Sequence, residues 1–293
     1  MLEIRYHLSD KSPGNNRSRE KLMKKRDKLV NIILVLVFFI GLSVLLYPTV
    51  SDYWNRKTQS RAVADYENKV SSITVEDYSE LFAEAEDYNE RLKKLSNPLY
   101  ECKKLGDYND ILDISGTGIM GYIDIDKIGV ELPIYHGTSE ATLTVAVGHL
   151  EGSSLPIGGK GTHSVLSAHR GLPSAKLFTD LDKLSEGDTF RITILNEVYT
   201  YRVDRISIVK PEEVEPLVQT DGKEYCTLMT CTPYGINTHR LLVRGERIDT
   251  EVQKNVYISS EAFKIDPIIV TPAIAAPMLL ILLVFMLIKY RKK

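Results

Sequence analysis

Two blocks of the chain lose their polar positions almost entirely. Leu29–Tyr47, LVNIILVLVFFIGLSVLLY, and Ile268–Ile288, IIVTPAIAAPMLLILLVFMLI, carry no charged residue. Each reaches the roughly 20 apolar residues with which a helix crosses a bilayer. Neither keeps the polar stripe expected of a helix buried in a soluble core. Pro272 and Pro277 weaken the second block as a soluble helix, whereas membrane helices tolerate proline. The first block exceeds the apolar core of a cleaved signal peptide, roughly 7–15 residues, and PTVSDYW after it lacks a small-x-small cleavage site. It therefore reads as a retained signal anchor.

Between the blocks the period changes once. Ser51 to Leu95 has no glycine or proline and is rich in Glu, Ala, Lys and Arg. Thr74 is placed to cap a helix on which Tyr78, Leu81, Phe82, Ala85, Tyr88 and Leu92 recur at helical spacing. SNPLYECKKLGDYNDI breaks that pattern at Pro98 and reads as a loop. From about Ile111 the alternation is of period two, in Gly121–Gly137, in Thr189–Val209 with a turn at Asn196-Glu197, in Gly161–His169, in Glu224–Cys231 and in Thr238–Arg247. A short helix is predicted over Ser174–Leu184. Many short strands between glycine and proline turns point to an all-β sandwich or barrel.

Charge then orients the chain. Residues 1–28 carry a net +5 and residues 289–293 a net +4, so the formal total of −2 leaves −11 for residues 29–288. Basic flanks outside both apolar blocks place both ends in the cytoplasm and everything between outside the cell. The expected divisions are a basic tail over 1–28, a signal anchor over 29–48, a helical segment and lid over 49–110 and a β-domain over 111–250. A linker over 251–267, a second span over 268–288 and a basic tail over 289–293 follow. The acidic middle speaks against a nucleic-acid partner, and the basic ends suit anionic membrane lipid. With three cysteines, Cys102, Cys226 and Cys231, at least one thiol stays unpaired within the chain. Outside the cell a free thiol needs a reason.

TLMTCTPYGINTHRLLVRGER, Thr227–Arg247, supplies a candidate reason. Neighbouring side chains on a strand face opposite ways, so only one of His239 and Arg240 can face Cys231 across the turn. A base for Cys231 can come from elsewhere in the chain: His136, His149, His163 or His169. His169 ends an apolar strand just before RGLP, where a scaffold presents residues at its rim. On the residues alone, His169 stands only somewhat ahead of His163. Cys231 could also be a buried structural thiol, or share a zinc site with Cys226 and His239, although Cys-x4-Cys is an unusual spacing for zinc.

TLMTC with Arg240 nine residues after Cys231 resembles the active-site strand pair of the sortases, and SVLSAHRGLPSAKLFTDLDKL is similar to their histidine segment. GVELPIYHGTS, GHLEGSSLPIGG and TCTPYGINTHRLLVRGER, with the C-terminal apolar block, resemble class C, the pilin-polymerising sortases. The resemblance covers about residues 75–250. It implies a closed sortase-type β-barrel preceded by N-terminal helices, with a transmembrane helix at each end. It implies Cys231 as nucleophile, His169 as proton-transfer group, Arg240 as charge stabiliser and Thr230 on the substrate groove, with no cofactor and no metal. The implied donor is an L-P-x-T-G-like sorting signal and the implied acceptor a pilin lysine. His239 is then an outward residue, His136 and His149 satisfied structural histidines, and Cys226 a barrel-core thiol.

Class C sortases also carry a lid with an Asp-Pro-aromatic motif. Here Asn97, Pro98, Leu99 and Tyr100 stand in its place, so a weaker latch to Arg240 is expected, because an amide can only hydrogen-bond where a carboxylate could also pair its charge. Cys102, just beyond, raises the possibility of an oxidised Cys102–Cys231 lock, against that of an isolated surface thiol. Three other readings of the chain are a cell-wall-anchoring sortase, a tethered cysteine hydrolase and a non-catalytic pilin-binding scaffold.

Overall fold

A computed structural model describes residues 13–250 and 267–291. The first twelve residues of the N-terminal tail, the linker up to residue 266 and the last two residues lie outside the described residues. The chain divides into two compact units, residues 1–49 with 261–293, and residues 50–260.

The first unit holds the apolar blocks. Helix α1 runs Pro13–Val70, with Pro48 inside it, and α5 runs Pro267–Arg291. The apolar stretch described within α5, Ala275–Ile288, is shorter than a bilayer requires, so among the described residues one helix, α1, reaches spanning length. The structure thus gives a closed barrel with one spanning-length helix at the N-terminal side, and the second span expected from the sequence is not shown.

In the second unit α1 continues to Val70, and α2 spans Val75–Lys93. Thr74 caps α2 as its sequence predicts: its hydroxyl accepts from Asp77 N–H while the Asp77 carboxylate accepts from Thr74 N–H, a reciprocal capping box. The apolar face of α2 buries Ala85, Tyr88 and Leu92. A one-turn helix α3 (Pro98–Glu101) follows, and α4 (Glu140–Val145) connects two later strands.

The strands are β1 (Ile119–Ile125), β2 (Val130–His136), β3 (Val147–His149), β4 (Thr162–Ser167), β5 (Thr189–Ile194), β6 (Glu197–Val209), β7 (Glu224–Thr232) and β8 (His239–Ile248). They close into one barrel in the order β1-β2-β3-β4-β7-β8-β6-β5. Neighbours are antiparallel except β2–β3 and β4–β7, which are parallel. Closure leaves no open strand edge. Met120, Ile123, Ile134, Phe190, Ile192 and Leu228 fill the interior, continuous with the buried face of α2.

Buried polar side chains tie both helices to this barrel, Tyr66 and Asn89 among them. Tyr66 of α1 donates its hydroxyl to the Met120 carbonyl (2.9 Å) and accepts from Leu195 N–H (2.8 Å). Asn89 of α2 accepts from Leu155 N–H (2.7 Å) and donates to the Leu155 carbonyl (3.3 Å). A buried polar group keeps its place only when bonded in this way.

The helix predicted over Ser174–Leu184 does not form. Leu177 adopts a positive φ of 40°, which no α-helix accommodates. Asp180 instead gathers Lys176 and Lys183, each at 2.9 Å. Burial acts to raise the Asp180 carboxyl, but these two cations outweigh it and hold it below its ordinary value. Only Leu181–Lys183 makes a single 3₁₀ turn.

Candidate active site

On β7 the side chains alternate between the barrel interior and its outer face. Cys226 and Leu228 belong to the interior cluster, whereas Met229 packs on the outer face against Val165 of β4 and Leu242 of β8. Cys231 shares the register of Met229 and is half-buried on the outer face. Cys226 is 0% exposed and faces inward, and burial pushes its thiol far up. The two thiols of β7 therefore do not converge on one point, as a shared zinc site would require.

Strand register assembles the rest. Cys231 is the direct cross-strand partner of Arg240 on β8. On the other side β4 runs parallel to β7, with Ser167 opposite Met229, and Ala168 N–H extends the ladder by donating to the Met229 carbonyl. Continued two residues past the end of β4, the same register would bring His169 level with Cys231. In-register residues on adjacent strands project to the same face. By register alone, Cys231 and Arg240 pair at one end of the outer face, and His169, just past the end of β4, extends them into a row.

His169 is held by two further contacts. Its Nε2 lies 3.2 Å from Oε1 of Glu140, the first residue of α4. Its carbonyl accepts from Phe178 N–H (3.2 Å). The Arg240 guanidinium donates through Nη1 to the carbonyls of Asn237 (3.4 Å) and His239 (3.2 Å). Its Nη2 and Nε have no acceptor among the described residues. Arginine keeps its charge and presents its donors in a fixed fork, so the free edge beside Cys231 is suited to an oxygen that acquires negative charge.

Behind the row lies an apolar floor of Val165, Met229 and Leu242, joined by Leu217 from the β6–β7 connection. Leu99 of α3 packs onto this floor. Gly152 permits the approach: at φ 94°, a Cβ there would sit 2.8 Å from both the Leu99 Cα and the Pro98 carbonyl oxygen. The segment 97–100 is therefore seated over the outer face, but not by the latch expected. Asn97 is exposed and its side chain makes no capping bond. Among the described residues, neither it nor Tyr100, 69% exposed, bonds to Arg240, whose guanidinium meets only the Asn237 and His239 carbonyls. An aliphatic contact holds the segment where a weak hydrogen-bonded latch from Asn97 was expected.

Three other expectations meet different outcomes. Thr230 does not line the groove; it faces inward, 1% exposed, and donates its hydroxyl to the Ala168 carbonyl (2.8 Å), fixing the backbone that leads into His169. Cys102 is not a surface thiol but is buried in the main core, and burial, then the nearby Glu151 carboxylate, push it up. All three cysteines are free.

The remaining histidines are engaged elsewhere. His149 takes the Ser154 carbonyl on Nε2 (2.9 Å) and the Tyr108 hydroxyl on Nδ1 (2.9 Å). His163 takes the Val218 carbonyl on Nδ1 (3.1 Å) and the Thr227 hydroxyl on Nε2 (2.7 Å). His136 bridges the Gly118 and Ile111 carbonyls. Among the described residues, the His239 ring meets the Thr238 hydroxyl alone, at the edge of the turn. Glu140 and the apolar floor escaped the sequence reading. The floor was accessible to it in principle, as the odd positions of β7 on the Cys231 face.

The profile of the sortase domain matches residues 123–248 of this chain. Sortase A of Bacillus anthracis is 24% identical over 230 residues, covering 78% of this chain and 99% of that protein. Among solved structures, sortase C1 of Streptococcus agalactiae superposes with a TM-score of 0.61 at 52% identity, covering 65% of this chain and 100% of that one. Sortase C of Streptococcus pneumoniae gives a TM-score of 0.59 at 41% identity, covering 64% and 97%. With an eight-stranded closed barrel, a half-buried thiol at the end of an apolar outer face, and these similarities along most of the barrel, the chain belongs to the sortase family, and its structural neighbours are sortases of the C type.

Proposed function

We propose that the protein is a membrane-anchored cysteine transpeptidase that cuts an L-P-x-T-G-like signal between Thr and Gly and passes the acyl group to a pilin lysine. The direct pairing of Cys231 with Arg240, beside the end of β4 that leads into His169 and next to the apolar cluster of Val165, Met229 and Leu242, supports this reading. The Cys231 thiolate attacks the threonyl carbonyl carbon, and the Arg240 guanidinium holds the oxygen as it becomes anionic. As the C–N bond breaks, the His169 imidazolium gives its proton to the departing glycyl amine, leaving a thioester on Cys231. A lysine ε-amine then attacks the thioester carbonyl, surrenders a proton to His169, and leaves as an amide while the thiolate is regenerated. The Val165–Met229–Leu242 floor is suited to the apolar Leu-Pro portion of the signal, and Leu99 occupies that floor in the unliganded chain.

The choice of a pilin rests on the relatives: the S. pneumoniae sortase C is connected with pilin substrate specificity, and a group B Streptococcus sortase C is pilus-related. In this reading residues 29–48 and 268–288 are two membrane anchors, residues 49–110 a helical segment with a lid, and residues 111–250 the catalytic barrel outside the cell. The basic tails contact anionic lipid, and no cofactor is required. Cell-wall peptide as acceptor is the second reading, and replacing the pilin amine by the wall amine in the same assay separates the two. Intact mass of the full chain incubated with an L-P-x-T-G peptide tests the chemistry. A thioester adduct is expected on the wild type and on a variant lacking residues 97–100, and none on Cys231→Ala. A bare thiol in the lid-less variant would remove the donor assignment, and a mass change on Cys231→Ala would remove the nucleophile.

A further inference from the structure

The stretch of α1 that meets the barrel is apolar at Val63, Tyr66 and Val70 but polar over the preceding three turns. Asp52 is 8% exposed, Gln59 is 7% exposed, and Asn55 between them is half-buried. Their spacing of three and four residues puts them on one helix face. Burial of polar side chains is unfavourable unless each is bonded, and each of these three bonds a backbone group of a distant segment. Asp52 Oδ1 accepts from Lys176 N–H (3.0 Å), and its other oxygen pairs with Arg56 (2.7 Å). Asn55 Nδ2 donates to the Ser174 carbonyl (2.8 Å). Gln59 Nε2 donates to the Val145 carbonyl (2.7 Å).

The segments held are the two that flank His169. Ser174 and Lys176 lie in the irregular stretch that leaves His169 and returns to it through the Phe178 N–H bond to the His169 carbonyl. Val145 is the last residue of α4, whose first residue, Glu140, approaches the imidazole. Neither segment has a sheet neighbour to fix it, so the side chains of α1 supply the partners that a strand would otherwise supply.

We propose that Asp52, Asn55 and Gln59 are positioning residues for His169, a polar rail by which α1 sets where the imidazole stands relative to Cys231. The proposal rests on His169 being the proton-transfer group. Small displacements of such a group lower turnover steeply, whereas the apolar floor that receives the peptide lies on other residues. The effect therefore falls on kcat and leaves KM in place.

The test uses the full chain in detergent micelles with a fluorogenic L-P-x-T-G peptide, measuring kcat, KM and thermal melting together. Asp52→Ala is expected to lower kcat about 10-fold with KM within about 2-fold. Asp52→Asn, which keeps an oxygen to accept from Lys176 N–H, recovers most of that loss. Asn55→Ala loses one carbonyl contact at a half-buried site and is expected to lower kcat several-fold while melting as a folded protein, so it decides the matter if Asp52→Ala does not fold. Lys57→Ala, at an exposed position of the same helix, serves as the control. Wild-type kcat in folded Asp52→Ala and Asn55→Ala, a loss expressed in KM alone, or a failure of Asp52→Asn to recover would overturn the rail. His169→Ala tells the two readings apart: full turnover in that variant overturns the role of His169 and the rail with it, whereas loss of turnover there with normal Asp52→Ala and Asn55→Ala overturns the rail alone.

Discussion

His149 and His163 are sealed within the barrel wall, and each already spends both ring nitrogens on neutral partners. Burial holds both imidazoles down to about 4 from an ordinary 6.5. Below pH 6.5 the unfolded chain takes up protons at these positions and the folded chain does not, so stability is lost as pH falls from about 6.5 to about 4, by an order of 3 kcal/mol per residue. Asp124 acts in the opposite direction. Burial raises its carboxyl to about 6 against the pull of Arg191, its cross-strand neighbour, and Glu131 on the other side adds to the rise. The folded chain therefore gains protons there first, and stability is recovered as pH falls from about 6 to 3.8. Two histidines outweigh one carboxyl. Thermal melts should show a lower Tm at pH 4.5 than at pH 7, with a shallower fall in His163→Gln. Asp124→Asn should be more stable at pH 7.5, by about 1 kcal/mol, and should fall further on acidification. A Tm independent of pH over this window would contradict the two histidine assignments, and an Asp124→Asn variant no more stable than wild type at pH 7.5 would contradict that of Asp124.

At the scale of elements, α3 is held by one leucine on an apolar floor and by the room that Gly152 leaves. Leu99→Ser should remove about 1–2 kcal/mol of apolar contact, which raises the open fraction of the groove roughly 5- to 30-fold. Peptide-cleavage rate is the readout, and a rate unchanged from wild type would mean that α3 does not obstruct the groove. Gly152→Ala should open the segment by a different route, through the clash with Pro98 and Leu99, and should also lower Tm because an alanine is strained at φ 94°.

The strands that build the row were legible because Glu224–Cys231 and Thr238–Arg247 alternate cleanly. The rule that separates His239 from Arg240 also separates Thr230 from Cys231, and applied there it would have turned Thr230 inward. The three-residue β3 and six-residue α4 are too short for a period to show. The 174–184 segment has helical composition, but ion pairs about Asp180 and the positive φ of Leu177 decide its path. The choice of His169 over His163 rested on the family resemblance as well as on strand position, and the structure supplies a separate argument: His163 is enclosed and fully bonded.

For the whole molecule, the proposed reading of two anchors predicts that both ends lie on the same side of the membrane. Protease added to intact cells should digest an epitope within residues 50–250 and leave tags at both termini protected. Digestion of the C-terminal tag would reduce the protein to a single span, consistent with the one spanning-length helix that the structure shows.

The parallel contact between β4 and β7 has a consequence for how the protein matures. Cys231 and Arg240 meet within a hairpin, a local pairing that forms early, whereas Thr230 reaches Ala168 across 62 residues. Contacts of such long range come late, because the chain between them must be ordered first. His169 precedes Cys231 in the chain, so a copy whose β7–β8 hairpin has formed already holds both groups but has not yet brought them together. In the proposed reading, transfer therefore begins only once that last long-range closure is made.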